Sequence, residues 1–120
     1  MAGIAFPKRG EVYLVTLDPT VGHEISKTRL ALILQNNVAN KHSPITIVGA
    51  ITSKFDDKLY ATEVLIHAGE AGLKQDSVVR LDQIRSVDRV RLVKKFGNVS
   101  NVTLKRVDFA IKVSLGLVDF

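Results

Sequence analysis

The distribution of apolar residues separates a long β-like region from a helical end. Four runs are rich in β-branched and aromatic residues, and each is too short for a typical helix. They cover residues 11–17, 30–35, 45–51 and 61–66. A fifth run, 77–87, mixes β-formers with polar residues and predicts a long strand with one solvent-facing side. The polar stretches 20–29 and 36–44 predict loops.

The end of the chain has the period of an amphipathic helix. Apolar side chains recur every three or four positions, at Leu104, Val107, Ile111 and Leu115. Ser100 or Asn101 can cap the start of this helix, and Gly116 can end it.

The order of these elements predicts the fold class. A turn is expected from Asp88, and three residues after it are expected to anchor the chain in the core: Leu92, Val93 and Phe96. Several short strands followed by one terminal helix indicate a mainly β, α+β fold, with a curled antiparallel sheet or barrel and the helix packed on it. We expect a single domain over residues 1–120.

Composition narrows the function classes. The chain has no cysteine, which excludes disulfides, a thiolate metal site and a cysteine nucleophile. Lys and Arg total 17 against 12 Asp and Glu, and the net charge of +5 favours a polyanionic partner such as nucleic acid. The apolar start is too short for a signal peptide, and no segment has the roughly 18 apolar residues of a membrane span. We therefore expect a cytoplasmic protein with no membrane partner.

Motifs for nucleotide binding and acyl transfer are absent, since the chain has no glycine-rich phosphate loop and no nucleophile elbow. The three histidines, His23, His42 and His67, are widely spaced and have no pattern of acidic ligands around them. We therefore expect neither a metal ion nor another cofactor.

Two polar residues lie at the ends of predicted buried strands. Arg29 is where the loop 20–29 enters a strand, and Thr52 is where the next strand leaves the core. The ends of neighbouring strands can bring side chains together around a ligand. Their positions alone do not exclude a simpler interpretation, in which Arg29 is a solvated edge residue and Thr52 is a turn residue.

A series of short segments forms one recognisable pattern: 8–13 (KRGEVY), 21–24 (VGHE), 28–29, 32–37 (LILQNN), 40–44, 47–53, 76–79, 82–88, 91–92 and 115–117. Together these segments resemble the MazF/PemK family of toxins. They follow one another in order over nearly the whole chain.

The resemblance implies a fold, an activity and partners. The expected fold is an SH3-like barrel of the CcdB/MazF type, with short antiparallel strands and a C-terminal helix. The expected activity is that of a homodimeric endoribonuclease toxin of a type II toxin–antitoxin system. Such an enzyme cleaves single-stranded mRNA at specific sequences without a metal, leaving a 2′,3′-cyclic phosphate and a 5′-hydroxyl. A cognate MazE-like antitoxin is expected to occupy the RNA groove.

The resemblance also assigns residues by position. Arg29 matches the family's catalytic arginine, Thr52 matches its catalytic threonine, and Glu24 matches a groove position from which it can also act in catalysis. Further RNA contacts are expected from His23, Thr28, Ser53, Lys54, Gln83 and Arg85. Tyr13 and Tyr60 are candidates for stacking on bases, and each can equally be a core or rim residue.

Metal-free cleavage by the neighbouring 2′-hydroxyl needs a base, charge stabilisation and an acid. Arg29 suits charge stabilisation, because its fork of donors matches phosphate oxygens. Thr52 can donate a hydrogen bond to a non-bridging oxygen. Three alternatives remain for the base. It can be Glu24 with a pKa raised by desolvation, it can be His23, or the reaction can proceed by positioning alone without a dedicated base.

Two other functions remain as alternatives. A toxin of the CcdB type has a similar fold, traps DNA gyrase and cleaves no RNA. The chain can also be an inactive relative that only binds RNA or an antitoxin. The match around Arg29 and Thr52 favours the nuclease.

Overall fold

The computed structural model describes residues 6–17 and 27–119, in which six strands form one antiparallel sheet. The strands are β1 (Glu11–Leu17), β2 (Lys27–Ile33), β3 (Ile45–Thr52), β4 (Glu63–Ile66), β5 (Ser77–Asp88) and β6 (Leu92–Asn98). The helices are α1 (Asn37–His42) and α2 (Asn101–Ser114), and two 3₁₀ turns span Glu70–Gly72 and Arg89–Arg91. Neither α1 nor α2 has the length and apolarity that crossing a membrane requires. The five predicted strands and the terminal helix are confirmed.

The sheet curls without closing into a continuous ladder. Its strand order is β4-β5-β3-β2-β1-β6, so β4 and β6 are the outer strands of the part that the structure describes. The turn Glu70–Gly72, which follows β4, packs against β6 at the other end of the order. A Cβ added to Gly97 would lie 2.7 Å from the carbonyl carbon of Ala71, so this approach requires glycine. Backbone packing thus brings the two ends of the sheet together, and the predicted curled antiparallel sheet with a terminal helix is confirmed.

Both faces of the sheet carry apolar side chains. The larger cluster lies under α2 and includes Val12, Leu32, Ile51, Leu81 and Val107. The smaller cluster lies on the opposite face and consists of Val15, Ala31, Ile33, Val48 and Val87. Because side chains alternate along a strand, residues 29 and 52 belong to the face of the smaller cluster.

Residues 27–29 belong to a strand and not to the predicted loop. Thr28 pairs with Thr16 and Arg29 with Val15, so β2 begins three residues before its apolar run. Strand pairing uses backbone groups, which a polar side chain does not disturb at the sheet surface.

The predicted connection 36–44 contains the short helix α1. Asn36 caps it by accepting a hydrogen bond from the Ala39 N–H at 2.8 Å. The buried Asn40 accepts a hydrogen bond from the Thr46 hydroxyl at 2.7 Å and donates to the Gln35 carbonyl at 2.9 Å. These partners, which lie outside the helix on either side of it, stabilise a helix that is too short to show an apolar period.

The region after Asp88 also differs from the prediction. The turn Arg89–Arg91 is followed by the outer strand β6, in which Leu92 and Phe96 are half-buried. Val93 was expected in the core and is 59% exposed, so that prediction was wrong. An outer strand next to one neighbour covers fewer of its side chains than a central strand does.

The boundaries of α2 follow their capping residues. Ser100 accepts a hydrogen bond from the Thr103 N–H, as predicted. The helix ends at Ser114, where Gly116 adopts a φ of +74° and donates to the Val113 carbonyl at 3.1 Å. Leu115 follows the helix and is 62% exposed, so the predicted apolar stripe is one residue too long.

A carboxylate joins the start of α2 to the turn Glu70–Gly72. Glu70 accepts hydrogen bonds from the Ser100 N–H at 3.0 Å and from the Thr103 hydroxyl at 2.7 Å. Burial raises the pKa of Glu70, but these hydrogen bonds and the Arg106 charge together outweigh it, so the pKa lies below its ordinary value of 4.5. The ionised carboxylate therefore stabilises the fold.

Replacing Glu70 with alanine is expected to lower the free energy of unfolding by about 1–3 kcal/mol at neutral pH, the range for a lost hydrogen-bonding charged group. Because the folded pKa is lowered, the stabilisation is present above pH 4.5 and is lost as the pH falls through the folded pKa. Urea denaturation across this pH range measures the difference, with the exposed Asp57→Ala as control. An equal effect of Glu70→Ala at neutral and acidic pH would contradict the role of the charge.

Candidate functional site

The pairing of β2 with β3 brings two predicted site residues together. Ala31 pairs with Ala50, and Arg29 and Thr52 each lie two positions further along their strands. In an antiparallel pair these positions are opposite each other and point to the same face. Arg29 is exposed and Thr52 is half-buried. Arg29 is also held from the other side, because its backbone position pairs with Val15 of β1.

Two cavities meet at this pair of strand ends. The strand-end cavity has a volume of about 490 Å³, and the bulge cavity has a volume of about 690 Å³. Both are lined by the same four residues, which are Arg29, Ile51, Thr52 and Lys54. The strand-end cavity extends to Thr28, Ser53, Lys74 and Gln75, and the bulge cavity extends to Arg80, Gln83 and Arg85.

An irregularity in β5 shapes the bulge cavity. The register between β3 and β5 jumps from Gly49 opposite Ile84 to Ala50 opposite Arg80, so three residues of β5 have no partner on β3. Such bulges bend a strand and redirect its side chains. Gln83, within the bulge, and Arg85, beside it, both line the cavity wall.

Both cavities have cationic walls. Among residues 6–17 and 27–119, every charged side chain that lines them is basic: Arg29, Lys54, Lys74, Arg80 and Arg85. Arg80 is partly neutralised, because its guanidinium lies 3.0 Å from the Asp82 carboxylate and 4.0 Å from that of Glu63. A concave surface with one sign of charge concentrates the field and favours a polyanionic ligand.

Thr52 is oriented by a turn at the end of β3. Its Oγ1 accepts a hydrogen bond from the Lys54 backbone N–H at 3.1 Å. Because the oxygen is used as an acceptor, the hydroxyl proton stays available to donate. This hydroxyl and the Arg29 guanidinium thus offer donors to one ligand in the shared part of the two cavities.

The other predicted RNA contacts divide between the cavities. Thr28 and Ser53 line the strand-end cavity, Gln83 and Arg85 line the bulge cavity, and Lys54 lines both. His23 and Glu24, predicted as an RNA contact and a catalytic residue, lie outside the described residues.

Sequence reasoning missed Lys74, Gln75 and Arg80 as cavity residues. Arg80 belongs to the strand that was predicted to have one solvent-facing side, and this was the only feature of the sequence that indicated an accessible position for it. Lys74 and Gln75 follow the turn Glu70–Gly72 and carried no local pattern that predicts a cavity.

The two tyrosines proposed for base stacking have different environments. The Tyr13 hydroxyl donates to the Glu11 carboxylate at 3.2 Å, and burial together with this carboxylate raises the pKa of Tyr13 to about 12. Glu11 is buried and also binds the Lys95 ammonium at 2.7 Å. Tyr13 is thus part of an internal network, whereas Tyr60 is 70% exposed.

Residues 6–17 and 27–119 contain no cluster of three or more His, Asp or Glu side chains that would hold a metal ion. A reaction without a metal stays a prediction.

Comparisons with known proteins give a consistent result. Residues 8–115 match the family described as PemK-like, MazF-like toxin of type II toxin–antitoxin system. The chain is 41% identical over 113 residues to Endoribonuclease EndoA of Bacillus subtilis, which covers 94% of this chain and 97% of EndoA.

Solved structures of the same type share the fold. The crystal structure of MazF from Deinococcus radiodurans superimposes with a TM-score of 0.76 at 27% identity, over 94% of this chain and 99% of that one. An endoribonuclease in complex with its cognate antitoxin, from a mycobacterial species, has a TM-score of 0.77 at 23% identity, over 95% of this chain and 99% of that one. With a family match over most of its length, the chain belongs to the PemK-like, MazF-like toxins of type II toxin–antitoxin systems.

Proposed function

We propose that this chain is a sequence-specific endoribonuclease that cleaves single-stranded mRNA by attack of the neighbouring 2′-hydroxyl, without a metal ion. The observation that carries the proposal is that Arg29 and Thr52, each two residues beyond the Ala31–Ala50 pair of β2 and β3, both line the same two cationic cavities. The 41% identity to EndoA, an endoribonuclease by name, supports the same activity.

Arg29 and Thr52 stabilise the charge that develops during cleavage. The 2′-oxygen attacks phosphorus, the bond from phosphorus to the 5′-oxygen breaks, and negative charge accumulates on the non-bridging oxygens. Arg29 binds these oxygens with a fork of donors that stays charged at any physiological pH. The Thr52 hydroxyl donates a hydrogen bond to one of them, and the turn that holds Thr52 keeps this donor in place.

Proton transfer completes the reaction. The 2′-hydroxyl gives its proton to a base as the P–O bond forms, and the leaving 5′-oxygen takes up a proton as its bond breaks. The products are a 2′,3′-cyclic phosphate and a 5′-hydroxyl. Glu24 is the proposed base, with His23 and catalysis by positioning alone as the alternatives.

The remaining cavity residues bind the rest of the RNA chain. Lys54 and Arg85 attract phosphates, while Thr28, Ser53 and Gln83 offer polar groups to phosphates or bases. His23 is proposed to contribute from its loop.

We also propose a homodimer and an antitoxin partner. A two-fold pair of these domains, each spanning residues 1–120, would give a longer cationic groove than one sheet supplies. A cognate MazE-like antitoxin occupies this groove and excludes RNA. The proposed mRNA substrate places the protein in the cytoplasm.

Arg29→Ala is expected to reduce RNA cleavage by at least about 10²–10³-fold, because the main stabiliser of phosphate charge is lost. The fold should persist, since the Arg29 side chain is exposed. Single-turnover cleavage of a mixed-sequence RNA measures the rate, and circular dichroism checks folding. The matched control is Arg106→Ala, an exposed arginine on α2. Wild-type rates for the Arg29 variant would show that the site is misassigned.

Thr52→Val and Thr52→Ser separate the hydroxyl from the shape of the side chain. Valine removes the donor and is expected to lower the cleavage rate by about 10²–10³-fold, the cost of losing one preorganised donor. Serine keeps the hydroxyl, so the rate should stay within about tenfold of wild type. The comparison uses the same single-turnover assay, and similar rates for both variants would argue against a donor role.

A metal-free reaction predicts that an excess of chelator leaves the cleavage rate unchanged. The experiment uses a long RNA, incubated with the protein and chelator. Mapping the new ends of the RNA also identifies the sequence at which it is cleaved. The upstream fragments should end in a 2′,3′-cyclic phosphate, because the ribose oxygen is the nucleophile. A 3′-hydroxyl or loss of activity with chelator would contradict the mechanism. Inhibition of gyrase without any RNA cleavage would instead support the CcdB-like alternative.

A further inference from the structure

A third cavity of about 500 Å³ adjoins the cleavage site. We name it the side cavity, and its walls include Ser53, Lys54, Asp56, Tyr60, Glu63 and Arg80. It shares Ser53 and Lys54 with the strand-end cavity and Lys54 and Arg80 with the bulge cavity. A chain bound along the cationic cavities therefore passes its entrance.

The side cavity differs from its neighbours in charge. Lys54 and Arg80 face two carboxylates there, those of Asp56 and Glu63, so the charged residues of its wall sum to zero. In the part of the chain that the structure describes, the charged residues lining the two neighbouring cavities are all basic. A neutral pocket with both donors and acceptors suits the edge of an uncharged nucleobase better than a phosphate.

Tyr60 presents an exposed ring from a fixed backbone. Its N–H donates to the Glu63 carboxylate at 2.9 Å, and its carbonyl accepts from the Glu63 N–H at 2.9 Å. Glu63 is itself anchored, because its side chain is only 9% exposed. Tyr60 nevertheless leaves 70% of its surface exposed. Aromatic rings held in this way are the surfaces on which unpaired bases stack.

We propose that the side cavity is a nucleobase subsite, in which Tyr60 stacks on the base of a nucleotide next to the cleaved linkage. Asp56 accepts a hydrogen bond from an amino or imino N–H on the edge of that base. The subsite rests on the proposed function, because it takes RNA as the ligand, and it adds a residue that determines sequence preference.

A cycle of protein and RNA changes tests the stacking contact. The probe is an RNA of the mapped cleavage sequence with a 2′-deoxy residue at the cleaved position, so that binding is measured without cleavage. Tyr60→Ala is expected to raise the Kd by about 5- to 150-fold, the range for loss of one stacked base. Tyr60→Phe should bind within about threefold of wild type, because phenylalanine keeps the ring.

Abasic substitutions in the RNA identify which nucleotide stacks on Tyr60. In wild type, an abasic residue at one position next to the cleaved linkage should weaken binding about as much as Tyr60→Ala does. In the Tyr60→Ala variant, the same abasic residue should have no further effect, since the two changes remove one contact. Additive effects at every position would overturn the proposal. Intact binding of Tyr60→Ala, with cleavage retained, would overturn the subsite and leave the nuclease proposal standing.

Two controls exclude a merely structural effect. Phe109 on α2 is 53% exposed and does not line any of the three cavities, so Phe109→Ala should bind the RNA like wild type. Light scattering should give the Tyr60→Ala variant the same mass as wild type. A change in mass would show that Tyr60 serves subunit association, and the stacking assignment would then be wrong.

Asp56→Ala tests the edge contact separately. Cleavage of RNAs that vary only at the position identified by the abasic scan should become less selective in this variant, by about fivefold or more. Selectivity at the other positions should stay as in wild type. Unchanged selectivity at the identified position would remove Asp56 from the subsite.

Discussion

The antiparallel pairing of β2 with β3 is the constraint on which the site depends. A slip of one residue in this ladder would turn Arg29 or Thr52 to the other face of the sheet. Packing resists such a slip, since a Cβ at Gly49 would lie 3.3 Å from side-chain atoms of both Leu34 and Val79. The ladder is also central, with β1 on one side and β5 on the other. The two proposed catalytic side chains, the exposed Arg29 and the half-buried Thr52, are thus carried by the most strongly held strands.

The charges along the proposed RNA path differ from one cavity to the next. Among the described residues, the charged side chains along the two main cavities are all basic, and Arg29, Lys54 and Arg85 suit phosphates there. Asp56 and Glu63 balance the charge in the side cavity, which suits a base. A single irregularity in β5 contributes to this division, because it places Gln83 and Arg85 along one cavity and Arg80 between two.

The parts that stabilise the fold lie apart from the proposed RNA contacts. Helix α2 covers one apolar cluster and is joined to the turn Glu70–Gly72 through Glu70. The turn Glu70–Gly72 also packs against Gly97 of β6, and this contact maintains the curl of the sheet. Changes in these contacts should alter stability more than chemistry, whereas changes at Arg29 or Thr52 should do the reverse.

The sequence by itself determined the elements with a strong period and the family. The β-rich runs, the Ser100 cap and the stripe of α2 depend on local spacing, and the ordered motifs around Arg29 and Thr52 carried the family resemblance. Tertiary structure decided the rest, because the deciding partners are distant in sequence. Arg29 became part of a strand through pairing with Val15, and Val93 stayed exposed on an outer strand. Arg80 reached the cavities through a register jump against β3, which no local pattern in β5 encodes.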